Sequence, residues 1–224
     1  MKPKALAAAI TGDIIASQNL PPAIQDKLVE SITTAGKTLQ ADHPELIQGQ
    51  VDVFRGEGWQ FYCPNPHHAI TAGFLFKTYL LGLYKIDTRF SIGIGSIDRL
   101  ELDRISTSQG EAFLLSGRGL DEISTTRSIA IACTDQLSSI EHSLKAIACL
   151  LEASTKNWTR KQALAIALAS TGDPNEKSAQ RWPIKPISKQ AFGKHLANAQ
   201  WDLINNALQH TQSTLRDCLI SPHE

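Results

Sequence analysis

The chain has no excess of either charge, no long apolar run and few cysteines. Its 22 basic residues balance 22 acidic ones over 224 positions, which excludes a uniformly cationic nucleic-acid coat and an acidic tail but leaves room for a local basic patch. The longest apolar stretch, residues 69–84, contains Lys77 and is too short to span a bilayer, so no membrane segment is expected. The apolar run behind Lys2 and Lys4 reaches Gly12-Asp13 after only a few residues, less than the core of a secretory signal needs. Cys63, Cys133, Cys149 and Cys218 lie far apart, without a C-x-x-C pair or zinc-finger histidines. They read as reduced, mostly buried thiols of a cytoplasmic protein rather than a disulfide scaffold. What remains, 42% hydrophobic and 20% charged, is an ordinary globular composition with enough chain for one large or two small domains.

Charge divides the chain. Residues 1–135 carry a net of −3 and residues 136–224 a net of +3. Lys177 to Trp201 holds five basic residues and no acidic one, and three of the four tryptophans (Trp158, Trp182, Trp201) lie in the second half. An asymmetry of this kind points to one domain that meets a polyanion. The division expected is therefore an α+β domain over 1–135 and an all-helical domain over 136–224.

Periodicity supplies the layout of the first domain. Lys4 to Asp13 reads as a buried strand, and Pro21-Pro22 opens a helix running to about Asp42, with Ile24, Leu28, Ile32, Ala35 and Leu39 on one face. Gln48 to Phe54 and Trp59 to Cys63 flank Gly56-Glu57-Gly58, a hairpin signal. An apolar helix follows Pro64 and Pro66 to about Tyr84. Arg89 to Ile97 alternates like a strand whose Gly93 and Gly95 imply close backbone approach. Gln109 to Ile123 reads as a helix and Ser128 to Cys133 as a short strand. Helices here interrupt a hairpin instead of alternating strictly with strands, which favours α+β over a doubly wound sheet.

Two carboxylates stand out, Asp13 at the end of the first strand and Glu57 in the hairpin. If the first strand lies beside the hairpin, both project from neighbouring strand ends into one place. Oxygen pairs of this kind suit Mg2+ or Mn2+, completed by substrate phosphates. Ile14, Ile15, Ala16 and Ser17 then form a turn that offers backbone N–H groups to phosphate oxygens. Turn residues at strand ends explain the same acids without any ligand.

The same residues carry a resemblance. Gly12-Asp13-Ile14 with Ser17, Gly56-Glu57-Gly58-Trp59-Gln60, Arg89-Phe90-Ser91-Ile92-Gly93-Ile94-Gly95 and Gly110 to Arg118 occur in the order of the SatD-like family. That family joins a class III nucleotide-cyclase-like domain to a helix-turn-helix. The resemblance, over residues 4–133, implies a ferredoxin-like, nucleotide-cyclase-like antiparallel sheet with a nucleotide and a divalent metal at Asp13 and Glu57. Arg118 falls at the cyclase arginine position and is the catalytic residue if the domain is active. Leu114 stands in place of the catalytic asparagine, Val53 in place of a base-reading lysine, and Glu57 in place of the usual Asp. Leucine cannot hydrogen-bond a ribose or a transferring phosphate, so a nucleotide-binding or degenerate domain is expected rather than a working cyclase.

In the second half, Ser138 to Ala153 is an amphipathic helix, Trp158-Thr159 begins another, and Asn175 to Arg181 forms a short third. Ser188 caps a basic helix expected to continue through Trp201 and Leu203. Trp158-Thr159-Arg160-Lys161-Gln162 and Ile187 to Leu196 also resemble the SatD-like tail, which implies a sigma-factor-type helix-turn-helix on double-stranded DNA. Pro183 and Pro186 depart from its short glycine-containing turn, and Gly193 lies within the recognition helix. Gln190 and Lys194 are the expected base readers; Arg181, Lys185 and Lys189 are the expected phosphate contacts. Helix-turn-helix and cyclase-like domains often pair, so a homodimer is expected. His67-His68 lack a carboxylate or thiol at ligand spacing, Gly93-Ile94-Gly95 lacks a third glycine, and the three tryptophans read as core anchors. The expectation is a cytoplasmic regulator that binds a nucleotide and DNA. The alternatives are an active metal-dependent nucleotidyl transferase using Asp13, Glu57 and Arg118, and an oligomerisation scaffold in which both domains are vestigial.

Overall fold

A computed structural model describes residues 5–124, 126–183 and 185–220. A five-stranded sheet runs in the order β2-β3-β1-β4-β5, from β1 (Leu6–Ile14), β2 (Gln48–Phe54), β3 (Gly58–Cys63), β4 (Thr88–Ser96) and β5 (Ile129–Cys133). The first four strands are antiparallel, and β5 joins β4 in parallel. Helix α2 (Leu28–Asp42) connects β1 to β2, and α3 (Ala69–Tyr79) connects β3 to β4. That order is the split β-α-β-β-α-β pattern of an α+β fold, extended by α4 (Glu111–Asp121) and β5.

Strand alternation sorts the two faces of the sheet. Ile10, Trp59, Phe61, Phe90, Ile92 and Ile94 face α2 and α3 and are fully or almost fully buried. Trp59 meets the Phe76 ring edge-on at 4.5 Å and stacks with Phe61 at 5.8 Å, geometries that add to simple burial. Gly12 is required by this packing, since a Cβ there would lie 2.3 Å from the Trp59 ring. The opposite face carries α4. A Cβ on Gly93 would sit 2.1 Å from the Ala112 carbonyl oxygen, so the α4 backbone rests directly on β4, the close approach expected from the sequence.

The expected hairpin is present, with Arg55 and Gly56 both at positive φ in its turn. Three boundaries differ. The helix expected from Pro22 to Asp42 is two pieces, α1 (Pro22–Gln25) and α2. The helix before β4 ends in a π-helical turn, Leu80–Tyr84, closed by Lys85 at φ 62°. The helix expected to continue past Trp201 instead stops at Asn198, because Gln200 takes a left-handed conformation, φ 57°, from which a new helix starts. Lys4, the expected start of β1, lies outside the described residues.

Beyond Leu137, all regular elements among the described residues are helices: α5 (Ser138–Thr155), α6 (Arg160–Ala169), α7 (Asn175–Gln180), α8 (Lys189–Asn198) and α9 (Trp201–Ile220). The boundary expected at residue 135 falls in a 3₁₀ turn, Asp135–Leu137, between β5 and α5. The hydrophobic cluster runs across it. Leu164, Ile166, Phe192, Ile204 and Leu215 belong to the same buried cluster as Ile10 and Trp59. Phe74 packs edge-on against Trp158 at 5.7 Å. The Tyr79 hydroxyl donates to Asp42 at 2.6 Å and approaches the Ala167 carbonyl oxygen at 3.2 Å, while His43 meets the Ser170 hydroxyl at 3.0 Å.

Candidate functional site

The end of β1 is built around Asp13. Antiparallel pairing sets Asp13 opposite Gly58 of β3 on one side and Arg89 of β4 on the other. Thr88 accepts a hydrogen bond from the Trp59 indole at 2.8 Å and donates to the Asp13 carbonyl oxygen, fixing the strand end to the aromatic core. Beyond Ile14 the chain turns sharply. Ala16 is left-handed (φ 51°, ψ 41°) and leads into a 3₁₀ turn, Ser17–Asn19. A left-handed alanine costs about 1–2 kcal/mol, a strain of the kind held at ligand sites. A left-handed residue followed by a right-handed one turns successive N–H groups into one concavity, a main-chain nest for anions.

These parts line one open cleft of about 380 Å3, with Asp13, Ile14, Ile15, Ala16, Ser17, Gln18, Asn19, Glu57, Arg89, Ser124 and Arg127 on its walls. Its size falls within the range of small-molecule sites. The sequence-predicted residues Asp13, Glu57 and Ile14 to Ser17 are therefore brought together. Glu57, at the hairpin tip, accepts the Ser17 hydroxyl. Of the four residues expected to offer amides, Ile14 lies within the β1–β4 ladder and the Ile15 N–H donates to the Asp87 carbonyl oxygen at 3.0 Å. Within this turn, the amides of Ala16, Ser17 and Gln18 have no hydrogen-bond partner among the described residues.

Sequence reasoning missed two cations here. Arg89 grips Asp13 with both ends of its fork, Nε to Oδ1 at 2.7 Å and Nη2 to Oδ2 at 2.8 Å, the bidentate geometry of a strong ion pair. Asp13 chiefly, through this hydrogen-bonded pairing, raises the Arg89 pKa above its ordinary value, with Glu57 and Asp121 adding to it against partial burial. Arg127 enters from the loop before β5, also 3.5 Å from Glu152. The signal for Arg89 was positional: it opens an alternating strand, and only the register shows what it faces. Lys77 is a third hidden cation. It is almost wholly buried in α3, paired with Asp87 and donating to the Thr88 carbonyl oxygen at 2.7 Å.

A divalent ion is a separate matter. Both Asp13 oxygens are engaged by a guanidinium, and one Glu57 oxygen is engaged by Ser17. No group of three or more His, Cys, Asp or Glu among the described residues could hold a metal. As arranged, this donor set does not fit Mg2+ or Mn2+, which need free carboxylate oxygens. Arg118 and Leu114 lie on the exposed side of α4, and neither lines the cleft.

The helical half presents its expected DNA contacts differently. Ser188 caps α8 by accepting the Ala191 N–H at 3.2 Å. Lys185, Lys189, Gln190 and Lys194 are exposed. Arg181 turns inward to Asp173 at 3.1 Å and Asp42 at 3.7 Å. The long α7–α8 connection is braced by Trp182, which stacks on His195 at 5.4 Å and meets Phe192 edge-on at 6.2 Å. Burial, then Lys161 and Lys194, push the His195 pKa down. Lys161 thus belongs with this basic group, although the sequence reading passed it over.

The described chain is a mixed α+β protein, and no helix among its described residues is long and apolar enough to cross a membrane. No protein family and no curated protein matches it. Among solved structures it has a likeness to the guanylyl cyclase Cya2, with a TM-score of 0.37 and 11% identity over 62% of this chain and 78% of that one. A likeness so slight bears neither on the fold nor on the chemistry of the cleft.

Proposed function

We propose that the sheet half is a nucleotide-phosphate-binding module and that the helical half carries a DNA-contacting face, so that the chain acts as a nucleotide-responsive regulator. The observation that carries this reading is the convergence of the Ala16–Gln18 amides with Arg89 and Arg127 in one cleft. Main-chain amides and arginines are the groups that recognise phosphate oxygens. Asp13 and Glu57 hold these donors in place: Asp13 orients the Arg89 fork, and Glu57 anchors the turn through Ser17. The resemblance to SatD-like proteins, in the order of its motifs, points the same way. Binding, not turnover, is the function proposed, since neither Leu114 nor Arg118, which stand at the positions the resemblance assigns to catalysis, lines the cleft.

The test is thermal stabilisation of the full chain by ATP and GTP, with and without EDTA. Ligand binding raises the melting temperature, and the arginine-and-amide cleft does so in EDTA as well. Arg89→Ala removes the effect. Cyclic product or pyrophosphate released in magnesium and abolished by Asp13→Ala overturns the reading in favour of an enzyme. For the helical half, exposed Lys185, Lys189, Gln190 and Lys194 beside the capped start of α8 support groove entry. Electrophoretic shift of duplex DNA weakens steeply with salt and is lost when Lys185, Lys189 and Lys194 are all changed to Glu. Retained affinity in that triple variant defeats the assignment.

A further inference from the structure

The acids at the end of β1 have a counter-ion of their own. Asp13 and Arg89 stand opposite one another in the β1–β4 ladder, so their side chains leave the same face of the sheet as neighbours. Register, not a chance reach of a long side chain, sets the contact. Two guanidinium nitrogens, Nε and Nη2, donate to the Asp13 carboxylate, and the third, Nη1, approaches the Ile123 carbonyl oxygen at 3.5 Å. Both side chains are half-buried, where an ion pair is screened less than in open water.

Three acids act on this one cation. Glu57 at the hairpin tip and Asp121 at the end of α4 face the same guanidinium as Asp13. An arginine keeps its charge at every ordinary pH, so this occupant does not leave by titration. The second cation of the cleft, Arg127, has an acid of its own in Glu152, 3.5 Å away.

A divalent ion at Asp13 needs the oxygens that the arginine fork holds. To reach them it has to break a bidentate pair and then stand beside the displaced guanidinium, like charge against like charge. Take the guanidinium away and the balance reverses. Asp13 and Glu57 are then two carboxylates on one cleft without their cation, and one or two carboxylates with water at the remaining positions are the usual protein share of a Mg2+ site. We infer that Arg89 is the resident cation of this cleft, filling the place between Asp13 and Glu57 that a divalent ion would take, and that Arg89 alone decides the matter: without it, the two acids bind Mn2+ or Mg2+. This inference concerns the acids and holds whether or not the cleft binds a nucleotide.

Titration of the full chain with Mn2+, followed by the electron paramagnetic resonance signal of the free ion, tests it with no nucleotide present. The wild type takes up no Mn2+ with a dissociation constant below about 1 mM, whereas Arg89→Ala takes up one ion at least about tenfold more tightly than that. Mg2+ competes for this ion, and adding Asp13→Asn or Glu57→Gln abolishes its binding. Arg89→Gln, which keeps the length of the side chain and a donor for Asp13 while removing the charge, behaves as Arg89→Ala does and serves if the alanine variant does not fold. Mn2+ also raises the melting temperature of either variant and leaves that of the wild type unmoved. Mn2+ uptake by the wild type that Asp13→Asn abolishes overturns the inference, since the arginine then excludes nothing. So does a folded Arg89→Ala or Arg89→Gln variant that gains no ion, or one whose ion survives Asp13→Asn.

Discussion

The cleft at the end of β1 and the basic face of α8 handle charge in opposite ways. In the cleft, charges are matched: Asp13 with Arg89 and Arg127 with Glu152, while Ser17 holds Glu57. On α8 and in the connection before it, Lys185, Lys189 and Lys194 form no ion pair among the described residues and stand in solvent. A matched site has its donors positioned in advance, which favours selection of one ligand shape. An unmatched row of lysines attracts any polyanion and gives affinity more readily than choice. Arg181 marks the dividing line. It lies next to the lysine row in sequence, yet its guanidinium belongs to Asp173 and Asp42.

The sharpest way to break this contrast is to break the frame that both regions share. Gly93→Val drives a side chain into the Ala112 carbonyl oxygen and the Ser116 amide, atoms that cannot move aside. The expected loss is about 3 kcal/mol or more, measured by urea unfolding. Next comes Phe192→Ala, which empties a fully buried position of the helical half at a cost of about 3–5 kcal/mol. Because the core is continuous, the Trp59 environment in the sheet and the far-UV signal should fall in a single transition. Two separated transitions would show that the halves fold independently.

Acidification probes the junction. Burial is the largest cause of the lowered pKa of His43 and His68, Glu45 opposing it in both; burial, then His68 and Arg216, lowers that of His67. A histidine whose folded pKa is depressed takes up its proton more readily when unfolded. Its stabilising contribution is thus complete above the unfolded value of about 6.5 and is lost as pH falls through the folded one. The melting temperature should drop between pH 7.5 and pH 5, and His43→Gln should flatten part of that drop. The smallest effect separates Arg181 from its neighbours. Lys189→Ala should lower the salt slope of DNA binding by about one unit. Arg181→Ala should leave that slope unchanged and cost under about 1 kcal/mol of stability, because its ion pairs are partly exposed.

Much of the sheet was legible because its signals are local. Glycines around Glu57 announce the turn between β2 and β3, alternation gives β4, and Gly93 reports the backbone of α4 above it. The meeting of Asp13 with Glu57 was legible once the first strand was set beside the hairpin. The Arg89–Asp13 pair was not, because it depends on register between strands 76 residues apart, and a slip of one position would point Arg89 to the other face. Nor could periodicity see the stop at Gln200: the apolar stripe continues past it, and a single left-handed residue, φ 57°, leaves no mark in a hydrophobic pattern. The charge asymmetry separating residues 1–135 from 136–224 is real as arithmetic. The shared cluster linking Trp59 to Phe192 is a three-dimensional fact that composition does not carry.

That shared cluster constrains how any message could travel through the molecule. A sensor joined to an effector by a loose tether can swing like a lever, but here Phe74 and Trp158 interlock and the Tyr79 hydroxyl reaches both Asp42 and Ala167. Dense interiors transmit strain and do not pivot. If a ligand occupies the pocket near Asp13 as proposed, its effect on α8 would run through this common interior, as a change of amplitude rather than of pose.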